Sequence, residues 1–243
     1  MDSLKAFSES IPVLKLDPEF SGAEIETITS KIDGCLFPGE EVFLAQLAKS
    51  CTGSGVIVEI GSYLGRSGVS LGLGSMQGSR TMVFTFDHFE GDPFMKVSID
   101  QFETLKRNIE KSGVDSIVLT STDPSNKAVQ NFSDPIELLF IDANHTFEDV
   151  EMDYLTWSPK VVSRGLIAFH DTFDPVMGGL RFDGPLKVIQ KYCKLPEWTI
   201  VGRFQSITVV KRNGIPLKQV KTPDSTVQSK SVQKRHKIQK GLK

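Results

Sequence analysis

Five short apolar runs, each halted by a glycine or a polar residue, constrain this chain more than any other feature. They are Val56–Gly61, Met82–Asp87, Ser116–Thr120, Ile136–Asp142 and Gly165–Asp171. Runs of four to seven nearly continuous apolar residues suit parallel strands covered on both faces, because neither face can then afford a polar position. Helical spacing separates them. Phe94, Val97, Phe102, Leu105 and Ile109 recur on one face, with Pro93 at the start and Gly113 at the stop. Phe147, Val150, Tyr154 and Leu155 do the same later; Thr146 is placed to cap that helix, Asp149 follows three residues on, and Pro159 ends it. Strands alternating with helices predict an α/β doubly wound sheet. The last two runs, Trp198–Phe204 and Ser206–Lys211, lie too close together for a helical crossover and predict an antiparallel hairpin. The expected fold is therefore a seven-stranded sheet, five strands parallel, closed by a C-terminal hairpin.

The remainder of the chain divides around that sheet. Two helices are expected near Ala23–Ile32 and Glu40–Lys49, so residues 1–50 read as an N-terminal helical cap and 51–213 as the sheet domain. Residues 214–243 are Ser-, Gln- and Lys-rich without an apolar stripe and read as a disordered basic tail. From Lys211 onward there are ten Lys and Arg against one acid, leaving 18 basic and 29 acidic side chains before it, about −11. An acidic body disfavours a broad phosphate-binding surface, so a nucleic-acid partner is not expected. No apolar run reaches the roughly 18–20 residues that span a bilayer, and the first residues lack the basic and apolar regions of a secretory signal. Cys35, Cys51 and Cys193 are scattered and odd in number, which suits a reducing cytoplasm. A homo-oligomer is compatible with all of this.

In an open parallel sheet, ligands bind beyond the carboxyl ends of the strands where the strand order reverses. The residues at those ends are Glu59 and Gly61, Asp87 and His88, Ser121 to Asp123, Asp142 and His145, and His170 and Asp171, a set holding three of the four histidines. The first loop, Gly61, Ser62, Tyr63, Leu64, Gly65, Arg66 and Ser67, is a tight strand-to-helix turn whose following helix offers free N–H groups to an anion. It lacks G-x-G-x-x-G and the lysine of a P-loop. An acid ending the second strand, such as Asp87, suits a ribose.

The glycine loop after strand one, the acid closing strand two and the terminal hairpin together resemble the class I S-adenosylmethionine-dependent methyltransferases over roughly residues 40–211. The loop sequence, Leu139–His145 and Phe169–Thr172 are similar to one branch of that class, which includes macrocin-type O-methyltransferases and cephalosporin-hydroxylase-like proteins. The resemblance implies S-adenosylmethionine as cofactor. It implies that Gly61, Ser62, Tyr63, Gly65, Arg66 and Ser67 hold the methionine end, with Glu59 supporting its amino group, that Asp87 holds the ribose and Asp123 the adenine, and that His88 is a further cofactor contact. It also implies a divalent metal, Mg²⁺ or Mn²⁺, on Asp142, His170 and Asp171, with Asp142 also touching the cofactor and His145 as general base. The family's metal members place oxygen ligands after strand five, whereas this chain has His170 beside Asp171, a set that also suits Mn²⁺, Fe²⁺ or Zn²⁺. The expected function is O-methylation of a hydroxyl on a small molecule, a sugar or other natural product. The alternatives are a hydroxylase-like enzyme on the same fold and a non-catalytic binding module. The Gly-rich stretch Thr172–Pro185 is expected to form a lid, with Met177, Arg181 and Phe182 toward the acceptor.

Overall fold

The computed structural model describes residues 3–89 and 100–214. The expectations for Pro93, Phe94 and Val97 and for the basic tail beyond Gly214 lie outside these residues. The elements are α1 (Ser3–Ser10), α2 (Ala23–Thr29), α3 (Glu40–Lys49), β1 (Val56–Ile60), α4 (Arg66–Met76), β2 (Val83–Phe86), α5 (Gln101–Lys111), β3 (Val118–Ser121), α6 (Ser125–Asn131), β4 (Ile136–Ile141), α7 (Phe147–Trp157), β5 (Val161–Phe169), α8 (Gly184–Tyr192), β6 (Trp198–Phe204) and β7 (Ile207–Arg212). The strands form one sheet in the order β3-β2-β1-β4-β5-β7-β6. The pairings β1–β2, β2–β3, β1–β4 and β4–β5 are parallel, and β7 runs antiparallel to both β5 and β6. The expected seven-stranded fold is the one observed, and its order reverses between β1 and β4.

The apolar runs of the inner strands are continuous because their alternate residues feed two different cores. Ile57 and Leu138 pack with Leu44, Leu71, Leu105 and Ile109, under α3, α4 and α5. Their neighbours Val58 and Leu139 pack with Val129, Val150, Trp157 and Ile189, under α6, α7 and α8. Trp157 is fully buried among them. Thr146 caps α7 as expected, its hydroxyl accepting from Asp149 N at 3.2 Å.

Other features were not apparent in the pattern. β5 starts at Val161, four residues before the apolar run, because its pairing with β4 slips between Ile136 and Leu138 and exposed Ser163 and Arg164 (φ 68°) lie in the irregular stretch. α8 closes what reads as a long loop. The N-terminal segment is interwoven with the sheet domain: Leu4 and Ile11 pack on Leu186 of α8. Leu14 N donates to Arg203 O and Arg203 N to Pro12 O, both at 2.7 Å, so this segment covers the outer edge of β6. Among the described residues no helix is long and apolar enough to cross a membrane.

Helices α3 and α4 cross at a glycine. A Cβ on Gly74 would fall on the backbone of Ala45. Gly74→Ala therefore has to separate two helices rather than turn a side chain. The expected cost is about 3 kcal/mol, the upper part of the overpacking range, read as a lower urea midpoint at unchanged slope.

Candidate active site

The ladder continues past the strand ends and holds their tips side by side. Asp87 N donates to Ser121 O (3.2 Å), Gly61 N to Phe86 O (2.9 Å), Asp142 N to Ile60 O (2.9 Å) and His170 N to Ile141 O (3.1 Å). The tips of β1, β2, β4 and β5 thus open on one edge, at the point where the strand order reverses.

The loop after β1 is built for close approach. Gly61 has φ 88°, and a Cβ there would strike the carbonyl of Asp142 and Cα of Ala143. Tyr63 takes φ 45° and Gly65, at the cap of α4, φ 90°. The Asp87 carboxylate holds the loop: Oδ2 accepts from Ser62 N and Tyr63 N and Oδ1 from Phe89 N, all at 2.9 Å. The ribose-type acid thus also tethers the glycine loop, which its position in the chain does not reveal. His88 is exposed, its Nδ1 3.6 Å from Asp87 Oδ1.

Glu59 lies behind the loop, fully buried, and neither carboxylate oxygen has an aligned hydrogen-bond partner. Burial pushes its carboxyl up to about 8, the charges of Asp142 and Asp87 add to the rise, and nearby Ser67 and Ser62 oppose it. The hydroxyl of Ser62 is also buried without a partner. Unpartnered buried polar atoms in a native fold call for an explanation, and a ligand carrying donors supplies one. Two of the residues assigned to the cofactor are otherwise engaged. The Arg66 guanidinium turns to Glu41 of α3 at 3.3 Å, because its stem is packed against Gly34. Asp123 is exposed and accepts from the Ser121 hydroxyl at 3.0 Å.

Next to this loop stands a cluster of acids and imidazoles. One ligand atom from each of Asp142, His170 and Asp171 lies within 4.8 Å of the others. His170 Nδ1 is 3.0 Å from Asp142 Oδ1 and 3.4 Å from Asp171 Oδ2, yet its N–H is aligned on neither. Asp171 has φ 54°, a strained conformation for a residue with a Cβ. His145 Nε2 approaches Asp171 Oδ2 to 2.7 Å, also without alignment. The His145 ring stacks on Phe182, centroids 4.2 Å apart and planes 18° apart, with Arg181 5.1 Å over the other ring. Met177 is 81% exposed, whereas Phe182 stacks on His145.

The electrostatics are coupled. Burial raises the Asp142 carboxyl, with His170 opposing. Burial would raise Asp171 too, but the two imidazoles beside it hold it well below the usual carboxylate range. Burial disfavours charge on His170, but Asp142, Asp171 and Glu40 together keep its pKa well above the ordinary value. Glu40 is the participant that sequence reasoning missed. It is fully buried, with Oε2 2.9 Å from His170 Nε2. As the first of two acids opening a helix, it reads as an ordinary complement to the helix dipole.

Residues 58–172 match a family model described as a methyltransferase domain. The match identifies a methyltransferase domain over these residues. Solved structures share its fold. An O-methyltransferase from Bacillus cereus, in complex with SAH, is 15% identical with a TM-score of 0.55, the match covering 87% of this chain and 97% of that one. The O-methyltransferase TomG from Streptomyces achromogenes, involved in tomaymycin synthesis and solved with SAM, is 15% identical with a TM-score of 0.55, covering 86% and 95%. A cofactor-bound protein from MTB is 17% identical with a TM-score of 0.56, covering 86% and 95%. For the methyltransferase, these likenesses agree with the glycine loop's place at the reversal of strand order. They leave the acceptor and any metal to be argued from its own residues.

Proposed function

We propose that the methyltransferase moves a methyl group from S-adenosylmethionine to a hydroxyl of a small molecule, with a divalent metal at Asp142, His170 and Asp171 and with His145 as general base. The observation that carries this reading is the meeting of three candidate ligand atoms within 4.8 Å, with a histidine 2.7 Å from one of the carboxylates, at the strand ends that flank the glycine loop. The donors fit each group. Glu59, with both oxygens unpartnered, suits the cofactor's amino group, and the Gly61–Ser67 loop suits its methionine end. His170 Nδ1, buried among two carboxylates without an aligned partner, suits a cation. One imidazole and two carboxylates are a plausible set for Mg²⁺ or Mn²⁺, less characteristic of Mg²⁺ than oxygens alone.

An alcohol is a weak nucleophile until its proton leaves. The His145 imidazole accepts that proton as the oxygen attacks, and the Asp171 carboxylate beside it stabilises the imidazolium formed. Phe182 fixes the ring plane by stacking. The oxygen forms a bond to the methyl carbon, the carbon–sulfur pair passes to sulfur, and S-adenosylhomocysteine leaves neutral at sulfur. When bound, the metal lowers the acceptor hydroxyl's pKa and orients it. Holding donor and acceptor in line supplies much of the acceleration.

The test is calorimetry with S-adenosylmethionine and S-adenosylhomocysteine, followed by methyl transfer to a panel of hydroxylated sugars and natural products with and without EDTA. The expected results are micromolar binding of both compounds and EDTA-sensitive transfer restored by Mg²⁺ or Mn²⁺. No binding of either compound at high micromolar concentration rejects the cofactor site. Turnover that needs Fe²⁺ and oxygen instead of a methyl donor assigns the cluster to hydroxylation.

A further inference from the structure

The Glu40 carboxylate receives four donors in a fully buried position. Oε1 accepts from Ser206 N at 2.8 Å and from the Ser206 hydroxyl at 2.7 Å. Oε2 accepts from Phe37 N at 2.8 Å and lies 2.9 Å from His170 Nε2. Two of these groups are backbone amides, which can only donate, and one sits on each oxygen, so both oxygens act as acceptors. The proton between Glu40 and His170 therefore resides on Nε2. The other ring nitrogen, Nδ1, lies 3.0 Å from Asp142 Oδ1 and 3.4 Å from Asp171 Oδ2, so with the Nε2 proton committed to Glu40 it is the nitrogen whose lone pair a cation would take. Two carboxylate oxygens and one ring nitrogen converge there, where His170 is 1% exposed, and a positive charge among them relieves their repulsion, whether the imidazolium's own or that of a cation that displaces the Nδ1 proton. A histidine that donates one N–H to a buried carboxylate and offers its other nitrogen to a cation is the arrangement by which an outer partner orients a metal ligand.

We propose that Glu40 is a positioning residue that locks His170 in the Nε2–H form, and so makes Asp142, His170 and Asp171 a divalent-cation site. This rests on the metal reading given above. It assigns a site function to the segment before the sheet domain. Helix α3 brings Glu40 under β5 from 130 residues away, and the β6–β7 turn supplies Ser206, so three separate parts of the chain set one imidazole.

Glu40→Gln keeps the shape and breaks the logic. An amide has one accepting end, and whichever way it turns, its NH₂ group meets a backbone N–H, at Ser206 or at Phe37. With the oxygen on Ser206, the NH₂ faces His170 Nε2 and favours the opposite tautomer, with the proton on Nδ1. The experiment titrates Mn²⁺ into the full-length native and Glu40→Gln proteins by electron paramagnetic resonance, with S-adenosylhomocysteine calorimetry on both. The expected result is a loss of Mn²⁺ affinity of about 10–100-fold with S-adenosylhomocysteine affinity held within about twofold. Equal Mn²⁺ affinity in the two proteins overturns the role of Glu40 and leaves the metal reading standing. No Mn²⁺ binding by the native protein removes the metal reading, and this proposal with it. A variant that fails to fold is bypassed by ¹⁵N-histidine spectra of the native protein loaded with Zn²⁺. A protonated Nε2 with metal on Nδ1 supports the proposal, and the reverse assignment overturns it.

Discussion

His145→Ala is expected to lower kcat by about 10²–10⁴-fold, the usual worth of a positioned general base, while S-adenosylmethionine affinity stays near the native value. The separation of the two effects follows from the site's layout. His145 meets Asp171 at 2.7 Å and stacks on Phe182, whereas the proposed cofactor contacts lie along Gly61–Ser67 and Glu59. A second signature does not depend on the absolute rate. An acceptor hydroxyl that ionises by itself no longer needs a base, so the gap between variant and native enzyme narrows as the pH approaches the acceptor's own pKa. Single-turnover rates across pH with the best acceptor from the panel measure both. A variant with native kcat, or a deficit that stays constant with pH, removes His145 from the role of base.

Glu59→Gln should have opposite effects on the free protein and on the complex. Glu59 is completely buried and its carboxyl is pushed from 4.5 up to about 8. Between those values the unfolded chain has released the proton that the folded protein still holds, so stability falls as pH rises through that window. Above pH 8 the accumulated cost is on the order of 4–5 kcal/mol. Glutamine carries no such charge. The variant should therefore match the native protein near pH 4–5 and exceed it by several kcal/mol at pH 9, read by urea unfolding without cofactor. Binding should move the other way. Losing a charged partner for the cofactor's ammonium group costs about 1.5–3 kcal/mol, or about 10–100-fold in affinity at pH 8–9. Parallel stability profiles for the two proteins would show that Glu59 is not held protonated by burial. Native affinity in the variant would show that the carboxylate does not face the amino group.

The sheet was largely legible because the inner parallel strands bury both faces and so announce themselves as apolar runs, whereas the edge strand β3 leaves Leu119 46% exposed. The hairpin was legible because too few residues separate Trp198–Phe204 from the next run to allow a crossover. Asp142, His145, His170 and Asp171 were legible because strand ends are where an open sheet collects its polar groups, and the structure draws them together. α8 was not, since the Gly-rich stretch before it reads as continuous loop. The engagement of Arg66 with Glu41 was not, because a residue at the start of a glycine-loop helix carries no sign of whether it faces ligand or a neighbouring helix. Asp87's grip on Ser62 N and Tyr63 N was not, because hydrogen bonds to backbone amides leave no trace in residue identity.

Local chemistry in the chain was enough to determine five parallel strands, a terminal hairpin, a strand-to-helix turn at Gly61 and a row of polar tips, since burial period, turn residues and loop length act over a few neighbours. Only the packed molecule decided that Glu40 would sit beneath His170, that Glu59 would be sealed without a partner, and that Phe182 would cover His145. Those outcomes depend on which atoms meet after the chain has folded back, across 130 residues for Glu40 and His170, and contacts and electrostatic coupling at that range have no counterpart in sequence spacing.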